Sequence, residues 1–204
     1  MKDFIYEGPV RIIYGAGQFD FVIREIAKLG KKVLIVSGRS FSEEGHLDTL
    51  TTGLAQAGVS CTSLENVSSP LLSKVKEGVT ICEKGVIDVV IGIGGGVCMY
   101  VAKAVALGAL HPETPMEKYL TYEVPTDGLS HLPVVTIPTN PMSGSETNAD
   151  VQITFDDTGL QAGCAVGCAA FTWMNAVICP DIWTDDGVHP VVIQLSESVT
   201  FHAC

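Results

Sequence analysis

The chain is expected to fold as an α/β protein, an open parallel sheet with crossover helices and an N-terminal edge hairpin. Three observations carry that expectation. Short apolar, β-branched runs alternate with longer segments of helical periodicity through the first two thirds of the sequence. One of those runs passes without interruption into a triple glycine and then a helix-periodic stretch, "VVIGIGGGVCMYVAKAVALGAL". Finally, 204 residues with 47% hydrophobic content suffice for one well-buried core.

Taken in order, "FIYEGPVRIIYG" reads as an edge hairpin turning at Gly8 and Pro9. Phe19, Val22, Ile23, Ile26, Ala27 and Leu29 then recur at helical spacing, and Gly30 closes that helix. "KKVLIVSG" is a buried strand, followed by a helix from Glu44 to Ala57 that stops at Gly58. "VSCTSLEN" gives a third strand, "SKVKEGVTICEKG" a third helix, and "IDVVIGIGG" a fourth strand. The helix after the glycines carries Ala102, Ala104 and Ala106, small enough to lie close against a sheet.

Residues 111–131 read as a long polar connection leading into the strand "LPVVTIP". The alternating strand "VQITF" follows, then a turn at Asp156, Asp157, Thr158 and Gly159, and a weakly patterned stretch to Pro180. In the last segment Pro190 suits a first helical turn, with Val191, Val192, Leu195 and Val199 on one face. A domain of residues 1–182 and the start of a second, helical one over 183–204 are expected.

The composition excludes some partners. With 12 Lys and Arg against 23 Asp and Glu, a net charge of −11 leaves no basic face for nucleic acid or an anionic membrane. No run of apolar residues is long enough for a membrane span, and the first residues lack the apolar core of a secretion signal. Seven scattered cysteines predict free thiols and a cytoplasmic location; Cys164 and Cys168 are the one pair with spacing suited to a metal on a helix, and nothing accompanies them.

Two stretches have the chemistry of a ligand site. Gly94, Gly95 and Gly96 allow a tight turn and close backbone approach, and the helix that follows offers unpaired N–H groups to a phosphate. The same glycines would also serve a purely structural strand-to-helix turn. In "IPTNPMSGSE", Thr139, Asn140 and Ser143 present short polar side chains after a strand, able to meet a pyrophosphate or ribose or to close a turn on themselves.

The segments "RIIYGAGQF", "KKVLIVSG", "GIGGGVCMYVAKAVAL", "LPVVTIPTNPMSGSETN" and "ITFDDTG", in this order, resemble the iron-containing (group III) alcohol dehydrogenases across residues 1–180. That resemblance implies a Rossmann-like dinucleotide-binding domain followed by a helical domain. It also implies a divalent metal, iron or zinc, held by one Asp and three His, and alcohol–aldehyde interconversion with a nicotinamide cofactor.

Carried over residue by residue, the family's G-G-G-S-x-x-D-x-x-K falls on Gly94, Gly95, Gly96, Val97, Tyr100 and Lys103: the glycines and the lysine stand, while the serine and aspartate are replaced. Thr139, Asn140 and Ser143 occupy cofactor-contacting positions, Ser69 stands where the family often has Asn, and Gln161 stands where it has Lys. At the end of the second strand Gly38, Arg39 and Ser40 replace the acidic residue of NAD users, and a guanidinium there suits a 2′-phosphate. NADP(H) is therefore expected over NAD(H), unless Arg39 is only a solvated loop residue.

The family's Asp-x-x-x-His pair falls within "HPVVIQLSESVTFHAC". It places Pro190 and Gln194, or Ser198 and His202, at the two ligand positions, and either register loses the carboxylate. His46, His111 and His131 read as surface or capping residues of the first domain. The expectation is no catalytic residue and no metal bound by this chain, which would make it an oxidoreductase by family but inactive in isolation, acting on a small alcohol or aldehyde if active. The alternatives are a non-catalytic nucleotide-binding or oligomerisation module, and a scaffold without ligand in which Tyr100 fills the cofactor groove. Self-association through an uncovered apolar face is expected.

Overall fold

The computed structural model describes residues 11–14, 19–139 and 144–166, together with the strands 174–178 and 191–193. Strand β1 (Arg11–Tyr14) precedes helix α1 (Phe19–Leu29), then β2 (Lys32–Ser37), α2 (Arg39–Glu43), α3 (His46–Gln56) and β3 (Ser60–Leu64). Next come α4 (Leu72–Gly85), β4 (Val89–Gly94), α5 (Gly96–Gly108), α6 (Met116–Leu120) and β5 (Val134–Pro138). The hairpin β6 (Asp150–Thr154) and β7 (Gln161–Ala165) follows, and β8 (Met174–Ile178) and β9 (Val191–Ile193) complete the order.

The main sheet runs β1-β9-β8-β5-β4-β2-β3, with β1 also pairing with β8. From β3 through β2, β4 and β5 to β8 every pairing is parallel, whereas β9 is antiparallel to both of its neighbours. The parallel α/β expectation therefore holds. Alternation along each strand sends Leu34, Val36, Val90 and Val134 to a core under α4 and α5. Val33, Ile35, Val89, Ile91, Ile93, Val135 and Ile137 face the opposite core, shared with α1 and α3.

Helix α5 is the centre of the first layer, buried on nearly every side from Cys98 to Gly108. It lies close on β4 because position 92 is glycine: a Cβ there would come within 2.8 Å of the Ala102 Cβ and 3.1 Å of the Cys98 carbonyl. The small residues read from the sequence thus meet small residues of the sheet.

The helix expected over residues 44–57 is present as α3, and the short α2, not expected, precedes it, set off by Gly45 with a left-handed φ of 78°. Three other elements differ from the sequence reading. The polar connection 111–131 contains α6, whose Met116, Tyr119 and Leu120 are buried at i, i+3, i+4 spacing. The described half of the expected N-terminal hairpin, β1, takes its partners from β8 and β9; the turn at Gly8 and Pro9 lies outside the described residues. Residues 191–193, expected to begin a helix, form strand β9, in keeping with three consecutive β-branched side chains, Val191, Val192 and Ile193.

Candidate functional site

The chain leaves β2 for β3 on one side, then returns to lay β4 on the other side of β2. The carboxyl ends of β2 and β4 therefore border the point where strand order reverses, the place where open α/β sheets leave a crevice. Register brings the sequence-predicted residues together there. Ser37 pairs with Ile93, and Gly94 pairs with Pro138. The Gly38 amide donates to the Ile93 carbonyl at 3.3 Å, and the Thr139 amide donates to the Gly94 carbonyl at 2.9 Å.

Gly94 turns this corner with φ 138°, where a side chain is strained, and a Cβ on it would meet the Cys98 sulfur at 2.8 Å. At Gly95 the opposite holds. Among the described residues nothing lies within 4 Å of where its Cβ would sit, so the space in front of the glycines is open. Gly95 is also the N-cap of α5 and supplies no side-chain cap. In the first turn of this 13-residue helix the Cys98 amide donates to the Gly95 carbonyl at 3.1 Å, which leaves those of Gly96 and Val97 at the positive end of the helix dipole. The half-buried Tyr100 ring lies 5.4 Å from the Lys103 ammonium, farther along α5.

A side chain not foreseen in the sequence forms the floor. The Cys98 thiol is buried and donates to the Val67 carbonyl at 3.7 Å, while the Val67 amide donates to the Ser37 carbonyl at 3.0 Å. The connection from β3 to α4, which carries the exposed Ser69, is thereby held beside the end of β2. Burial pushes the Cys98 thiol up to about 12, so it serves as packing and not as a nucleophile. Its position two residues past Gly96 was the only signal available.

The remaining predicted residues are placed as follows. Arg39 and Ser40 open α2 directly after Gly38 and are exposed; the Arg39 Nε donates to Glu43 Oε1 at 2.7 Å. Lys103 is engaged elsewhere along α5. It is fully buried, and its ammonium donates to the carbonyls of Ser145 at 2.8 Å, Asn148 at 3.2 Å and Asp150 at 2.7 Å. Asn140 and Ser143 lie outside the described residues. The tip of the β6–β7 hairpin is tied to the start of α4, where Ser73 donates its amide and hydroxyl to Asp156; those bonds hold the carboxyl below the usual carboxylate range.

The described residues do not fit a catalytic metal. No group of three or more His, Cys, Asp or Glu among them could hold one. Each described histidine has other company: the His111 Nε2 lies 2.8 Å from the Ser130 carbonyl, the His131 Nδ1 2.8 Å from that of Leu132, and His46 packs on Phe41 beside Glu44. His189 and His202 lie outside the described residues, as does Cys168. Cys61, Cys82 and Cys98 are free thiols, and no helix among the described residues is long and apolar enough to cross a membrane.

Fold and corner together define a Rossmann-like domain with a glycine-built cradle at its switch point. The family model "Iron-containing alcohol dehydrogenase" matches residues 9–172, and the chain belongs to that family. It is 33% identical over 201 residues to the probable NADH-dependent butanol dehydrogenase 1 of Bacillus subtilis, covering 98% of this chain and 49% of that one. Identity to the NADH-dependent butanol dehydrogenase A of Clostridium acetobutylicum is 30% over 165 residues, 80% of this chain and 42% of that one. The crystal structure of NADH-dependent butanol dehydrogenase A from Thermotoga maritima superposes with a TM-score of 0.77 at 28% identity, over 89% of this chain and 45% of that one. The chain thus spans about half the length of the relatives it matches.

Proposed function

We propose that this chain is the nicotinamide-dinucleotide-binding part of an alcohol–aldehyde oxidoreductase. The observation that carries the reading is the open, uncapped glycine corner at the switch point. There the first-turn amides of α5 hold the pyrophosphate by main-chain donation, with Thr139 beside them. Val97 and Tyr100 replace a hydroxyl and a carboxylate, so the main chain does most of the binding. The bound cofactor supplies hydride transfer; this chain's residues bind and orient it.

The preference we propose is NAD(H). Arg39 would suit the 2′-phosphate of NADP(H), but Glu43 already accepts from it and sets a negative charge beside that phosphate's place. The printed names of the Bacillus subtilis and Clostridium acetobutylicum relatives, both NADH-dependent, support the same choice. Alcohol- or aldehyde-directed chemistry requires metal ligands beyond the described residues, and the chain by itself is expected to turn nothing over. The loss of the serine and aspartate favours, as a second reading, a nucleotide-binding module without catalysis.

Thermal unfolding with 1 mM NADH or NADPH tests this, because a ligand bound only by the native state raises its midpoint. A rise with NADH exceeding that with NADPH is expected. A larger rise with NADPH would return the preference to Arg39, and no rise with either would leave only the ligand-free scaffold. Aldehyde-dependent NADH oxidation on addition of iron or zinc would contradict the expected lack of turnover.

A further inference from the structure

The walls of the crevice come from three places along the chain, and one sulfur atom lies against all of them. Cys98 stands, buried, in the first turn of α5. A Cβ added at Gly94 would meet its sulfur at 2.8 Å, and one added at Gly38 would meet it at 3.5 Å. The sulfur therefore supports both the corner after β4 and the start of α2. Its proton goes to the third wall, the connection from β3 to α4, where the Val67 carbonyl accepts at 3.7 Å. Burial pushes the thiol up to about 12, so it keeps that proton around neutral pH.

Asn66 turns the connection at a left-handed φ of 58°. Val67, buried, brings it back to the sheet: its amide donates to the Ser37 carbonyl at 3.0 Å, and its carbonyl accepts from Cys98. Farther on, the Pro70 carbonyl accepts from the Thr154 amide at 2.7 Å, which ties the segment to the β6–β7 hairpin. Between these anchors Ser68 and Ser69 are exposed. A thiol is a weak donor, yet a buried carbonyl left with no donor costs more than the bond itself contributes. Cys98, Val67, Ser37 and Gly94 are all buried, so the link is shielded from competing water.

We propose that Cys98 is a positioning residue for the dinucleotide corner: by holding Val67 against the first turn of α5 it fixes the wall carrying Ser68 and Ser69 beside the glycines, and so raises cofactor affinity without touching the cofactor. This rests on the dinucleotide reading above.

Two pairs of variants test it, C98S against C98A and C98T against C98V, each pair close in shape and differing by one hydroxyl donor. NADH calorimetry and amide hydrogen exchange are read at a temperature where every chain is folded. C98A is expected to bind NADH about fivefold more weakly than the parent, and C98S within about twofold of it, its stronger hydroxyl donor offsetting the shorter bond. The Val67 amide should exchange about tenfold faster in C98A than in C98S, with the amides of β2 alike in the two. Equal NADH affinity in C98A and C98S would overturn the proposal, and so would equal exchange at Val67. If the parent binds no NADH, the dinucleotide reading fails and exchange alone judges the positioning: faster exchange at Val67 in C98A supports it, and equal exchange overturns it. Should C98A not fold, C98V against C98T decides by the same two measurements.

Discussion

Two cations stand near the glycine corner, at the end of β2 and on the flank of α5, and they live under opposite conditions. Arg39 is exposed and pairs with the exposed carboxylate of Glu43, four residues on. Lys103 is buried and held by the carbonyls of Ser145 and Asn148 and of Asp150 at the start of β6. An exposed pair of this kind contributes little to stability, because water and salt replace either partner readily. A buried ammonium cannot be withdrawn without stranding the carbonyls around it. The two cations should therefore differ in how much stability their removal costs.

That contrast is open to direct attack. The largest effect is expected from Lys103→Ala, which removes the donors and leaves a cavity: about 3 kcal/mol of stability should be lost in urea unfolding. A loss below about 1 kcal/mol would mean that the carbonyls find other donors.

The next is a pH effect. Lys103 titrates near 7 in the folded chain against an ordinary value of 10.5, so between these limits the unfolded state binds more protons and stability rises with pH. A contribution of about 1 kcal/mol per pH unit is expected between roughly pH 7 and 9, missing from Lys103→Met. A slope common to parent and variant would place its origin elsewhere.

The smallest effects belong to Arg39. Arg39→Ala and Glu43→Gln should each change stability by less than about 0.5 kcal/mol. Glu43→Gln should nonetheless shift the ratio of NADPH to NADH affinity upward by roughly three- to tenfold, since it frees the guanidinium and removes a charge that repels phosphate. An unchanged ratio would separate Arg39 from cofactor choice.

Much of this was legible in the sequence, for particular reasons. Strands β2, β4 and β5 are continuous apolar runs because both of their faces are buried, and the glycine run that begins at the end of β4 announces a turn in which Gly94 takes a φ that a side chain would strain. The partners of Lys103 were not legible, because backbone carbonyls leave no mark on residue identity. Glu43 stands at the spacing that pairs with Arg39 on a helix, a signal present in the sequence and outweighed there by the missing carboxylate at the strand end. At residues 191–193 helical spacing misled where β-branching was the better guide, since three residues fit either period.

The central claim is that main-chain amides at an open glycine corner suffice to hold a dinucleotide. Gly95→Val tests it most directly: residue 95 has extended backbone that valine adopts without strain, and nothing among the described residues lies within 4 Å of the added Cβ, so the fold should be unchanged. NADH calorimetry on the parent and this variant is the measurement. The account predicts binding by the parent and a loss of about thirtyfold or more in the variant, whose side chain occupies the phosphate's place. Equal affinity in the two chains would contradict it.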